Sequence, residues 1–168
     1  MKIYILADME GTSGIYRREQ VRRSDPAFAE GRELLMRDIN AAVGAVRDAG
    51  VDEIVVCDTH GGGGNIDVAR MDPSAEYETP APGIMMPALD ESFDGLILLG
   101  HHAMAGTLNG FLDHTMSSEA WFEFRINGVP VGEVGIEAAY AGHFGVPVIA
   151  VSGDAALAEE ARSLLGEV

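Results

Sequence analysis

Ile3-Tyr4-Ile5-Leu6-Ala7-Asp8-Met9-Glu10-Gly11 is the stretch on which the fold turns. Its apolar run Ile3–Leu6 reads as a buried parallel strand, and the run ends in two carboxylates that a core does not take up unpaired. Asp8 and Glu10 are two apart. On an extended chain both side chains therefore leave the same face, at the strand's carboxyl end, where open α/β sheets place their ligands. Paired anions there call for a cation. A lone D-x-E reads more simply as a helix N-cap Asp beside a solvated Glu; the rest of the chain tips the balance.

Two further apolar runs end in the same manner. Glu53-Ile54-Val55-Val56-Cys57 closes on Asp58-Thr59-His60, and Gly95-Leu96-Ile97-Leu98-Leu99 closes on Gly100-His101-His102-Ala103. Ahead of the first of these, Asp25-Pro26 offers an N-cap followed by proline at the first helical position. Leu35, Ile39, Ala42, Val43 and Val46 then keep helical spacing on one face, and Gly50 suits the C′ position. Asp25 to Ala49 is accordingly predicted as the crossover helix of a right-handed βαβ unit.

After His60, Gly61-Gly62-Gly63-Gly64-Asn65 is too rich in glycine for helix or strand and reads as a loop hugging a ligand. It lacks the lysine of a phosphate loop. Residues 71–92, with Pro73, Pro80, Pro82 and Pro87, read as an irregular surface excursion. Trp121–Ile126 alternates as a strand, Asn127-Gly128 is a tight-hairpin signature, and Val129–Val131 begins the return. A helix is predicted from Gly132 to Phe144, a buried strand over Pro147–Val151 and a last helix from Asp154 to Leu165. No linker or repeat divides the chain. The prediction is one α/β domain over residues 1–168, with a largely parallel sheet flanked by helices and an inserted β-hairpin.

The 168 residues, 47% apolar and 23% charged, are those of an ordinary globular protein. A net charge of −16 argues against nucleic acid or an anionic membrane surface as partner. The nearest thing to a basic patch, Arg17, Arg18, Arg22 and Arg23, reads as a solvated loop in preference to a carboxylate or phosphate clamp. No apolar run approaches the ~20 residues of a membrane span. The single Cys57 excludes an internal disulfide and reads as a small buried hydrophobe. With no signal-peptide pattern at the amino terminus, the expected address is cytoplasmic.

Three predicted strands thus deliver Asp8 with Glu10, His60, and His102 to one rim, and Glu133, directly after the hairpin, could reach it too. Five nitrogen and oxygen donors arriving from separate elements build a poor core and a good divalent-metal site. His101 is expected to point away as a packed or hydrogen-bonded residue. Asp58 and Asp113 could orient imidazoles or merely cap turns; Asn65 and Asn109 fit turn chemistry; His143, late in a helix, is assigned no chemistry.

Asp8-Met9-Glu10-Gly11, Asp58-Thr59-His60, Gly100-His101-His102-Ala103, His114-Thr115-Met116 and Pro130-Val131-Gly132-Glu133 resemble, in order and spacing, the successive motifs of the zinc-dependent D-aminopeptidases of the DppA type, peptidase family M55. The resemblance implies Asp8, Glu10, His60, His102 and Glu133 as ligands of a two-zinc site and His114 as the catalytic residue. It also implies a homo-oligomer, a ring-shaped decamer with a central channel. Family members carry a further region beyond the point where this chain stops, so the chain is either a short member or a piece lacking that carboxyl-terminal part.

The chemistry agrees with that likeness. Amide hydrolysis needs a polarised carbonyl and a hydroxide near neutral pH, which two divalent ions sharing a carboxylate supply, and Asp8 is the candidate bridge. His114 could serve as nucleophile, general base or oxyanion donor. The expected function is removal of the amino-terminal residue, a D-amino acid such as D-Ala, from short peptides or amino-acid amides. A two-metal phosphoesterase and a non-catalytic metal-binding assembly protein are the alternatives; the near absence of lysine weighs against phosphate.

Overall fold

The computed structural model describes residues 1–168. In chain order the elements are β1 (Lys2–Ala7), α1 (Phe28–Asp48), β2 (Glu53–Asp58), β3 (Glu76–Glu78), β4 (Gly95–His101), β5 (Phe124–Ile126), β6 (Val129–Val131), α2 (Glu133–His143), β7 (Val148–Gly153) and α3 (Ala155–Leu165). Five strands form one sheet in the order β3-β2-β1-β4-β7, parallel throughout, and β5-β6 stand apart as an antiparallel hairpin. From β1 the chain builds outward to β2 and β3 on one side and then crosses to β4 and β7 on the other. The topological switch point, where such sheets open a crevice, lies between β1 and β4.

Both faces of the sheet are covered at its middle strands β1, β2 and β4, which is why these are apolar at successive positions; β7, expected to be a buried strand, lies at the sheet edge and is half-exposed to exposed along its length. Tyr4, Leu6, Val55, Cys57, Leu96 and Leu98 pack with Val134, Ala141 and Leu157 of α2 and α3. Ile3, Ile5, Ala7, Ile54 and Val56 face Leu35, Ile39 and Val43 of α1. Each fully buried side chain of this kind contributes roughly 1.5–3 kcal/mol. No helix is long and apolar enough to cross a membrane.

Several local readings differ from expectation. Asp25 closes a turn, its carboxylate accepting from the Ala27 N–H (3.0 Å), and α1 starts at Phe28. The stretch 71–92 is not wholly irregular, because Glu76-Tyr77-Glu78 adds a short edge strand to β2. Trp121 to Glu123 lie outside β5, since the Ser117 carbonyl captures the amides of Ala120 and Trp121 in a turn. At the hairpin tip Asn127 and Gly128 both take positive φ (51° and 83°), as a type I′ turn requires.

The carboxyl ends of β1 and β4 come unusually close. A Cβ on Gly11 would lie 1.9 Å from the His101 carbonyl oxygen, and one on Gly100 would lie 2.5 Å from that of Asp8. Only hydrogen fits there, and the obstacle is backbone, which cannot swing aside. Gly11→Ala is therefore expected to cost about 3 kcal/mol or more by prising the two strand ends apart, read as a fall in thermal midpoint together with weaker zinc binding.

Candidate metal centre

β1 ends at Ala7, so Asp8 and Glu10 converge through a turn and not along an extended strand. The Asp8 N–H donates to the Leu99 carbonyl (2.8 Å), the Gly11 N–H to that of Gly100 (2.8 Å), and the Thr12 hydroxyl to that of Asp8 (3.2 Å). His60 Nδ1 sits 3.3 Å from Asp8 Oδ1 and 2.9 Å from Glu10 Oε2. On the other side His102 Nε2 lies 3.5 Å from Asp8 Oδ2 and 3.3 Å from Glu133 Oε1. His114 Nε2 is 3.6 Å from that same Glu133 oxygen, and its ring stacks on His102 with centroids 3.9 Å apart. Two triads result, Asp8–Glu10–His60 and His102–His114–Glu133, each with donor atoms within 4.8 Å of one another. Asp8 turns one oxygen to each.

The imidazoles are oriented by their other nitrogen. His60 Nε2 meets the Val21 carbonyl (2.9 Å), His102 Nδ1 that of Ala103 (3.0 Å) and His114 Nδ1 that of Leu112 (2.8 Å). A carbonyl only accepts, so each of these nitrogens carries the proton and the nitrogen facing the carboxylates holds the lone pair when the ring is neutral. A lone pair pointed at a carboxylate oxygen is repelled unless a proton or a cation lies between. Asp8, Glu10 and Glu133 are buried, and the ion-pair partners of these carboxylates are imidazoles alone. Buried His102 Nε2 has no hydrogen bond. This donor set, hard carboxylate mixed with imidazole, fits zinc or a similar divalent ion.

The same geometry governs the metal-free protein. Burial alone would lower the His60 and His102 pKa values, but the facing carboxylates outweigh it and raise them to about 11 and about 10. Burial likewise works to raise Asp8 and Glu133, while the facing imidazoles, His60 first for Asp8 and His102 first for Glu133, hold both below the usual carboxylate range. The histidine contribution to stability is complete below the ordinary value near 6.5 and is lost as pH rises through about 10 to 11. The carboxylate contribution is present above the ordinary acid range and is lost as pH falls through the depressed values. The metal-free protein is thus expected to be most stable in mildly acidic solution. Zinc, which needs neutral imidazoles, should release a proton from each of His60 and His102 at neutral pH and move that optimum upward. Calorimetric enthalpies in buffers of different ionisation heat, with melting curves against pH, measure both effects.

A cavity of about 640 Å³ opens over the centre, lined among others by Asp8, Glu10, His60, His114, Glu133 and Glu137. His114 lies between two residues of positive φ, Leu112 (52°) and Met116 (60°), a backbone state that side-chain-bearing residues adopt at a cost. The loop is held there because the Met116 N–H donates to Glu133 Oε1 (2.7 Å) and the His114 N–H to the Ala103 carbonyl (3.3 Å).

Sequence reasoning missed Glu137. His101 belongs to neither triad, and its Nε2 lies 2.8 Å from Glu137 Oε2, both side chains fully buried. Glu137 stands one helical turn after Glu133, a spacing that could have pointed to it. Burial and the neighbouring acids raise its pKa against the opposing charge of His101. The Val21 carbonyl behind His60 had no sequence signal at all.

Asp58 and Asp113 orient no imidazole. Asp58 accepts from the Asn65 backbone and side-chain amides (both 2.6 Å), and Asp113 accepts from the Gly106 N–H (2.7 Å). Asn65 also donates to the His60 carbonyl (2.7 Å) and so ties the glycine loop, whose four glycines all have positive φ, beneath His60. His143 is exposed and takes no part.

An open parallel sheet with two acid–imidazole triads at its switch point defines an α/β protein built around a candidate centre for divalent metal. The chain belongs to peptidase family M55, the D-aminopeptidases, whose profile matches residues 1–168. It is 35% identical over 170 residues to the D-aminopeptidase of Bacillus subtilis (strain 168), covering 100% of this chain and 61% of that protein. The solved structure of the Zn-dependent D-aminopeptidase DppA from Bacillus subtilis, a self-compartmentalizing protease, superposes with a TM-score of 0.93 at 34% identity, over 98% of this chain and 60% of that one. The chain therefore spans about three fifths of the length of these relatives.

Proposed function

We propose that this chain is the metal-binding catalytic part of a zinc aminopeptidase that removes an amino-terminal D-residue, such as D-Ala, from short peptides or amino-acid amides. The observation that carries the reading is Asp8 presenting Oδ1 to His60 at 3.3 Å and Oδ2 to His102 at 3.5 Å, one buried carboxylate serving both triads. Asp8, Glu10 and His60 would hold one ion, and Asp8, His102 and Glu133 a second. Bound there, zinc would polarise the peptide carbonyl and lower the pKa of a water.

The chain's own residues do the rest. His114, with Nδ1 committed to the Leu112 carbonyl, keeps Nε2 free to take a proton from water and return it to the departing amine. Buried Glu133 fixes the His114 loop through the Met116 amide while facing His102. Ile84, Met85 and Met116 supply apolar lining of the cavity on which the substrate's first side chain would rest. The self-compartmentalizing habit of DppA from Bacillus subtilis supports a homo-oligomer, with the ring of ten that the resemblance implies, measurable by light scattering.

Zinc analysis combined with a panel of D- and L-aminoacyl amides and a phosphate ester tests the proposal. Close to two zinc ions per chain and turnover of the D-amides are expected. Turnover of the phosphate ester alone would replace the reading, and less than one zinc per folded chain would end it.

A further inference from the structure

The arginines of the loop after β1 divide into two pairs. Arg17 is ion-paired with Glu30 (2.7 Å), and Arg23 donates to the Gly63 carbonyl and to Asn65 Oδ1 (3.0 Å). Those two are structural. Arg18 and Arg22 are exposed, and the guanidinium group of neither has a hydrogen-bonded or ion-paired partner in the chain, although acids outnumber bases by 27 to 11. Both line a second cavity of about 500 Å³, which shares Glu10, His114 and Ser118 with the cavity over the metal centre. The acids on its wall are already occupied, Glu10 by His60 Nδ1 (2.9 Å) and Asp113 by the Gly106 N–H (2.7 Å). The turn that carries the two arginines is tied to the centre, because the Val21 carbonyl, between them, accepts from His60 Nε2 (2.9 Å).

We propose that Arg18 and Arg22 receive the free carboxyl terminus of a short peptide substrate; this rests on the aminopeptidase reading above and adds a specificity device to it. A peptide carboxylate brought near the buried acids of the centre is repelled unless a cation meets it. Two guanidinium groups on the His114 side supply paired donors of the geometry a carboxylate accepts. Each extended residue spans at most about 3.3–3.6 Å, so a carboxylate one or two residues beyond the scissile bond stays near the centre, and the cavity that shares Glu10, His114 and Ser118 with it is where that carboxylate would lie. Longer peptides would carry it past. The pair thus selects di- and tripeptides over longer chains and over carboxamides.

The test is calorimetric binding to the zinc-loaded protein, with a D-Ala-D-Ala analogue whose scissile amide is reduced to CH2–NH, and with the same analogue as its C-terminal carboxamide. The free acid should bind about tenfold more tightly, the order expected of a charge-assisted bidentate contact. The preference should shrink at high salt, as exposed charges are screened. In the Arg18→Gln/Arg22→Gln double variant, both positions being exposed, the preference should fall below about twofold with carboxamide affinity unchanged. Equal binding of acid and carboxamide to the parent, or a preference that survives in the variant, overturns the arginine assignment alone. Binding of neither analogue overturns the aminopeptidase reading and the assignment with it. Inorganic phosphate that displaces the acid far better than acetate does would make the pair a phosphate site and overturn the proposal.

Discussion

Asp8→Ala should empty both metal positions. The carboxylate lies 3.3 Å from His60 Nδ1 through one oxygen and 3.5 Å from His102 Nε2 through the other, so its removal takes a donor from its own triad and the oxygen that faces the other. Loss of a mere outer-sphere partner weakens metal binding about 10–100-fold, and loss of a shared ligand should exceed that at both positions. Glu10→Ala and Glu133→Ala, each acting on one triad, should leave about one ion per chain. Elemental analysis after zinc loading, with circular dichroism to establish folding, separates the cases. An Asp8→Ala protein that keeps one tightly held ion would show that Asp8 serves a single position.

His114→Ala should fail in the opposite way, keeping zinc and thermal stability near the parent while turnover falls by roughly 10²–10⁴, the loss typical of a general acid or base. The expectation rests on position. His114 reaches only Glu133 among the acids, at 3.6 Å, and its loop is held by backbone amides that the substitution leaves in place. His60→Ala and His102→Ala should lose metal first. Release of zinc from His114→Ala would make it a ligand in the second triad, and unchanged turnover with zinc retained would make it a bystander. Turnover must be compared in a preparation of demonstrated activity.

Much of the sheet, and the gathering of these side chains at its rim, was legible in the sequence for one physical reason. A strand buried on both faces tolerates no charge, so acids and histidines at the ends of β1, β2 and β4 mark themselves by contrast with the runs before them. Glu10, His60 and His102 accordingly gather with Asp8, and Glu133, from the start of α2, reaches His102. What escaped lacked that contrast. β3 is three residues, Glu-Tyr-Glu, with charge at both ends, and owes its existence to the free edge of β2. Trp121-Phe122-Glu123 has the alternation of a strand, but nothing in it reveals that the Ser117 carbonyl would claim the nearby amides. Glu137, one acid within a predicted helix, has no such contrast with its neighbours, and only the packing of α2 lays it against His101. The arginine loop read as uniformly solvated, and only tertiary placement divides its pinned members from its free ones.

The order β2-β1-β4 at the middle of the sheet also sets a length. His60 follows one neighbour of β1 and His102 follows the other, while Asp8 tips β1 itself, so the two triads straddle a single strand. Neighbouring strands lie ≈ 4.7–4.9 Å apart by the hydrogen-bond geometry of any sheet. The spacing of His60, Asp8 and His102 is thereby inherited from the sheet as from a ruler. Loops around the rim can change sequence, length and substrate preference without recalibrating it.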